Sequence, residues 1–252
     1  MNNSKKRTII ICFVMFFSLC KAQQKEKPTF REDFNASAID ESIWTVGTWE
    51  EHGGQLSAER CFVKDGYLNL LLINDNGKYL SSAIQTKQDF LYGRWEARLK
   101  PSSVPGVLNS FYTIDWDNKA TAAPSDGTKQ EIDIEFLTFA FKNNKGKVHV
   151  AVHAQGLKSF DSNPDVELDF DPSADFHVWG FEITPEHIEW FVDDKTLYVY
   201  KYNEREIKID SPYVLKLNHW TQKDWILGPP TPGVVCRYLI DWIQFTPKAM
   251  DK

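Results

Sequence analysis

The 252 residues carry no excess of positive charge and few cysteines or methionines, four and three respectively. The net charge of -6 excludes a nucleic-acid backbone as the partner, because that ligand demands a basic surface. No internal repeat and no low-complexity tract is present, and no helical period of useful length runs anywhere beyond a weak turn at Pro185-Glu186. The apolar run Ile9 to Leu19 is eleven residues long, too short to cross a bilayer, so stable membrane insertion is not expected. What remains, at 42% hydrophobic and 25% charged, is an ordinary globular chain with one core.

That short apolar run follows Lys5, Lys6 and Arg7 and precedes Cys20-Lys21-Ala22, the pattern of a secretory signal covering residues 1–22. Acylation of Cys20 is the alternative, weakened by bulky Leu19 before it. Cleavage at Gln23 removes four positive charges and no acids, taking the net charge from -6 to -10. An acidic, exported protein is expected, secreted or periplasmic. Its remaining cysteines are Cys61 and Cys236, which either pair in the oxidising compartment or stay as buried thiols.

Aromatic residues, by contrast, are plentiful at 14%, nine of them Trp, enough for a large core and for flat surfaces that stack on sugar rings or bases. After a polar linker at 23–29, residues 30–247 read as a series of short strand-like segments separated by turn signals, with a tail at 248–252. Expected strands include Tyr67–Ile73, Tyr92–Lys100, Leu108–Asp115, Glu131–Phe139, Lys147–Ala154, Tyr213–Trp220 and Val234–Phe245. Within Tyr92–Lys100, Trp95, Ala97 and Leu99 fall on one face and Arg94, Glu96, Arg98 and Lys100 on the other. About a dozen such strands in one domain predict an all-β sandwich of two packed antiparallel sheets or a jelly roll. Thr113–Lys129 is a polar loop expected to form a cleft rim.

One segment stands apart electrostatically. Glu131, Asp133 and Glu135 alternate with Ile132, Ile134 and Phe136, so a strand places three like charges on one face and three apolar side chains in the core. Such a row is unfavourable for stability, which marks it as a site. Two carboxylates flanking a glycosidic bond are the equipment for its hydrolysis. Cα atoms four apart in a strand lie about 13 Å apart, and inward-leaning side chains bring the carboxyls to about 5 to 7 Å, nearer the retaining than the inverting separation. Asp133 between them is placed to share a proton, orient the nucleophile and keep the acid protonated.

The segment Glu131-Ile132-Asp133-Ile134-Glu135-Phe136 resembles the signature of glycoside hydrolase family 16, in the unbulged form of bacterial lichenases and plant xyloglucan transglycosylases. Tyr92 to Pro101, Phe176-His177-Val178-Trp179, Ile188 to Asp193, Asn218-His219-Trp220, Asp224-Trp225 and Ile240-Asp241-Trp242 extend the likeness over most of the chain. The resemblance implies a concanavalin A-like jelly roll with a concave glycan-binding cleft, and a monomeric hydrolase of a polysaccharide, a mixed-linkage β-glucan or a xyloglucan. It implies Glu131 as nucleophile, Asp133 as helper and Glu135 as acid/base. It also implies sugar contacts from Trp95, Glu96, Arg98, Asn218 and Trp220, with His153 either facing sugar or structural. No cofactor is required for catalysis. Relatives hold a structural calcium on the convex face through two backbone carbonyls and one Asp, at places matched here by Asp33, Gly66 and Asp241. The chain departs from lichenases at Lys129, Ala151 and His153, so linkage stays open. A transglycosylase or a non-catalytic lectin-like module on the same fold are the other readings.

Overall fold

The computed structural model describes residues 28–115, 130–153, 163–202 and 209–248. Seventeen strands run through them: β1 Phe30–Glu32, β2 Trp44–Val46, β3 Glu50–Glu51, β4 Gly54–Leu56, β5 Cys61–Lys64, β6 Tyr67–Asp75, β7 Lys78–Thr86, β8 Gly93–Lys100 and β9 Leu108–Ile114. They continue with β10 Glu131–Leu137, β11 Gly146–His153, β12 Asp165–Leu168, β13 His177–Ile183, β14 His187–Val192, β15 Lys195–Lys201, β16 Val214–Trp220 and β17 Val235–Pro247. Helical structure among the described residues is confined to short 3-10 turns, such as Ala58–Arg60 and Thr138–Ala140. Strands β1 to β5 and β7 go beyond the dozen that alternation predicts. Lys78–Thr86, for instance, carries six consecutive buried residues and therefore no period of two. The signal segment, residues 116–129 with Lys129, and the tail from 249 lie outside the described residues.

Register sorts the strands into two antiparallel layers. One runs β12-β11-β10-β9-β16-β7-β2. The other joins β8 to β13 and β17, with β14 and β15 beyond β13 and with β6, β5 and β1 reached through β17. Their inner faces meet in an aromatic core: Phe136 stands edge-on to Trp179 at 4.8 Å, and Phe111 lies 5.2 Å from Phe181. Trp190 donates its Nε1 hydrogen to the Asp133 carbonyl at 2.9 Å, tying the acid-bearing strand to the opposite layer. Within its own layer Gly180 has no room for a side chain, since a Cβ would stand 2.2 Å from both the Phe191 ring and the Trp95 carbonyl. Cys61 and Cys236 are unpaired and buried, each beside β6 but on opposite flanks of it. The disulfide alternative is thereby excluded.

Strand β16 shows how alternation divides labour. Leu215, Leu217 and His219 point into the core, while Lys216, Asn218 and Trp220 share the outer face. Burial lowers the His219 imidazole from 6.5 to about 3, against a hydrogen bond that the ring donates to the Leu70 backbone, which raises it. The unfolded chain therefore takes up a proton near pH 6.5 that the folded chain refuses until about 3, so stability is full above 6.5 and is lost as pH falls. A loss on the order of 3 kcal/mol is expected between pH 7 and pH 4 from this group. Urea midpoints measured across that range check it, and His219→Leu should flatten the dependence.

Candidate active site

The alternation in β10 does what it predicts. Ile132, Ile134 and Phe136 are fully buried in the core, and Glu131, Asp133 and Glu135 lie on the outer face, Asp133 only 3% exposed. Directly paired residues share a face, so the register lays out the surroundings. Glu131 sits between His153 and Ile114, Asp133 between Ala151 and Tyr112, and Glu135 between His149 and Ser110. One strand further, Lys216 stands beside Tyr112 and Asn218 beside Ser110. The next strand adds Gln85 beside Lys216 and Ala83 beside Asn218.

These neighbours form a connected polar floor. His153 Nε2 lies 3.4 Å from Asp133 Oδ2. Asn218 donates its Nδ2 hydrogens to Glu51 Oε1 at 2.6 Å and to Tyr112 Oη at 3.3 Å. Lys216, fully buried, pairs with Glu51 Oε2 at 2.5 Å between the rings of Trp49 and Tyr112. Burial pushes the Glu51 carboxyl up, but the Lys216 charge and hydrogen bonds from Lys216, Asn218 and Trp49 outweigh it and hold the group below its usual value. Burial, reinforced by Glu51 and the three acids of β10, raises Tyr112 well above the usual phenol range, so it stays a neutral hydroxyl amid the carboxylates. On the other side of Glu135, His149 is oriented by Asp165 at 2.8 Å and meets Trp225 edge-on at 5.5 Å. Trp220 lies between Trp225, 6.0 Å away, and the ring of His52, stacked on it at 4.3 Å.

The structure thus brings Glu131, Asp133, Glu135, His153, Asn218 and Trp220 together on one face. It does not bring Trp95, Glu96 or Arg98 there. Trp95 is fully buried against Phe90 and Phe245, so its ring is core and not a sugar platform. Glu96 and Arg98 do share a face, but it is the outer face of the opposite layer, because β8 pairs with β13 and β17. There Glu96 pairs with Arg94 at 3.1 Å and accepts from Gln244, and Arg98 pairs with Asp241 at 2.5 Å. Their role is surface pairing, on the far side of the sandwich from the acids.

That last pair also bears on calcium. Asp241 is the residue at which β17 slips register against β8, and this turns its carboxylate to Arg98. Asp33 is likewise held by Arg31, at 2.6 Å, and Gly66 forms the left-handed turn between β5 and β6. The one side-chain donor of that set, the Asp241 carboxylate, is thus already paired with a guanidinium, and as arranged it is a poor ligand for a divalent cation. Among the described residues no group of three or more His, Cys, Asp and Glu could hold a metal ion.

Sequence reading missed Tyr112, Lys216, His149, Glu51 and His52. For His149 and Lys216 a signal existed: each lies two positions along its strand from residues already singled out, Ala151 and Asn218. For Glu51 none did, because its partner is 165 positions away.

Comparison with known proteins gives this face a family. The model of glycosyl hydrolases family 16 matches residues 56–244. A beta-glucanase of Paenibacillus polymyxa is 27% identical over 219 residues, 81% of this chain and 85% of that protein. The crystal structure of a prokaryotic beta-1,3-1,4-glucanase (lichenase) derived from a mouse hindgut metagenome superposes with a TM-score of 0.72 at 26% identity, covering 87% of this chain and 99% of that one. The laminarinase catalytic domain of Thermotoga maritima shares the fold, with a TM-score of 0.75 at 23% identity over 90% of this chain and all of the other. With a jelly-roll sandwich, a row of three carboxylates on its outer face and a family match over three quarters of its length, the chain belongs to glycosyl hydrolase family 16 and is a glycosidase.

Proposed function

We propose that the chain is an exported, retaining endo-β-glucanase that cleaves a mixed-linkage β-glucan or a xyloglucan with Glu131 and Glu135. The observation that carries this reading is the placement of Glu131, Asp133 and Glu135 at alternate positions of one outer-facing strand, flanked by Tyr112 and His153. In the first step a Glu131 carboxylate oxygen attacks the anomeric carbon, the bond to the leaving oxygen breaks, and Glu135 gives that oxygen its proton. In the second, water attacks the same carbon, Glu135 takes the proton, and Glu131 leaves. Retention follows from two inversions. Asp133, largely shielded from solvent and close to His153, shares a proton with its neighbours and orients Glu131. No metal or organic cofactor enters either step.

The activities that name the relatives, beta-glucanase and beta-1,3-1,4-glucanase, support the β-glucan class. The basic and apolar segment at residues 5–19 supports export through a cleaved signal at 1–22. Product analysis of the full chain on barley-type mixed-linkage glucan, β-1,3-glucan, xyloglucan and algal galactans tests the substrate. Internal cleavage of mixed-linkage glucan or xyloglucan is the expected result. Turnover confined to a galactan, or binding without turnover, would overturn the reading.

A further inference from the structure

The short hairpin of β3 and β4 is not part of the layer that carries the acids, yet its tip lies on that layer's outer face. The two residues between its strands, His52 and Gly53, have φ of 49° and 75°, the left-handed pair of a type I′ turn, which suits glycine at the second place. The hairpin is fastened at its base by the parallel pairing of β4 with β7, Gln55 to Leu80 and Leu56 to Ser81. At its tip it is fastened to β16. Glu51 takes hydrogens from Lys216, Asn218 and Trp49, and the His52 ring covers a face of Trp220 with an interplanar angle of 19°. Lys216, Asn218 and Trp220 are the outer-facing residues of β16, so this strand presents the chain's own hairpin where its polar and aromatic side chains would otherwise be open.

The direction in which a glycan must lie gives the hairpin its meaning, and here the argument rests on the reading of Glu131 and Glu135 as the pair that flanks one bond. Those two acids are spaced along a single strand. A polymer running along β10 would set successive sugars over them, whereas a polymer crossing β10 sets one glycosidic bond between them. The glycan therefore runs across the strands, over β9 and β16 on one side and over β11 on the other. Two strand spacings separate β10 from β16, about 10 Å, which is the length of about two β-linked pyranose rings.

We propose that Glu51 and His52 are specificity-determining residues: the β3–β4 tip is a wall that stops the bound β-glucan about two sugars from the scissile bond on the β16 side. Binding on that side gains nothing from a third sugar, while the β11 side, reached past Ala151 and His149, is not closed by this hairpin. The anchoring explains why the wall holds: the Glu51 carboxylate is ionised and meets a buried ammonium, so it does not swing aside for a sugar hydroxyl.

The test uses reducing-end-labelled mixed-linkage β-gluco-oligosaccharides of three to eight sugars. Affinity is measured by calorimetry for the Glu131→Gln protein and for the same protein carrying His52→Gly, a change that the positive φ accepts. Cleavage sites are read with the Glu131-containing versions of both. The expected result is an affinity that stops rising at a defined length in the parent. In the His52→Gly protein it should rise on by at least one further sugar with about a threefold gain, and cleavage patterns should place that sugar on the side already bounded at two. An identical plateau in the two proteins, a third productive sugar on both sides of the parent, or no binding of any oligosaccharide would overturn the wall. A ladder that is bound with the predicted plateau shift but never cleaved would overturn the glucanase reading and leave the wall standing.

Discussion

Glu131→Ala and Glu135→Ala are each expected to reduce kcat on the preferred β-glucan by on the order of 10³-fold or more, with the fold intact. The two losses should differ in kind. Without Glu131 no glycosyl-enzyme forms, and an added small anion such as azide can enter the emptied place and attack the anomeric carbon directly, giving a glycosyl azide of inverted configuration. Without Glu135 the first step lacks its proton donor, so substrates with an acidic phenol leaving group, which need no proton, should lose least, and azide should rescue the second step with retention. Neither change should lower the thermal midpoint. Both side chains are on the outer face, half-buried, and removing one charge from a row of three relieves repulsion. Initial rates on the polymer and on an aryl glycoside, with melting curves alongside, check all of this. Unchanged turnover in either variant would remove that residue from the mechanism.

The second large effect concerns stability. Glu51→Ala takes the carboxylate from Lys216, whose side chain is fully buried, and leaves an ammonium in the interior of the outer face. Loss of one partner from a buried pair costs about 3 to 5 kcal/mol, and the lower end applies here because Glu51 is 13% exposed and the Trp49 and Tyr112 rings still face the charge. Adding Lys216→Met to Glu51→Ala should recover most of that loss, since it exchanges the stranded charge for an apolar side chain of similar length. Urea denaturation of the two single variants and the double variant measures the coupling. The pH dependence has a definite sign. The folded Glu51 carboxyl is held below its unfolded value, so the pair's stabilisation is present above the ordinary carboxyl value of about 4.5 and is lost as pH falls through the lowered folded value. His219 works in the same direction at higher pH, so the protein should be most stable near or above neutrality.

How much of this was legible in the sequence depends on what each feature needs. A period of two needs only neighbours along the chain, and it gave the faces of β10 correctly, with Ile132, Ile134 and Phe136 inside and the acids outside. It also paired Glu96 with Arg98 on one face of β8. What it lacks is the identity of the layer to which a strand belongs, which is set by pairing with residues far away. Glu96 faces Gly180 and Gln244 across the ladder, and those pairings put it on the opposite side of the sandwich from the acids. Trp95 shows a related difficulty. An aromatic side chain suits a core and a sugar platform equally well, and only its burial against Phe90 and Phe245 decides. The Glu51 wall was illegible for the same reason in stronger form. A two-residue strand, a His-Gly turn and a lone acid carry no pattern until the pairing of β4 with β7 carries them over β16.

The most direct test of the central claim, that Glu131 and Glu135 work as a nucleophile and an acid/base on one β-glycosidic bond, is the anomeric configuration of the first product. Proton NMR of the wild-type reaction on mixed-linkage β-glucan, recorded before mutarotation sets in, should show the β-anomer of the new reducing end first, with the α-anomer growing in later. An α-anomer formed first would mean single displacement and would contradict the account.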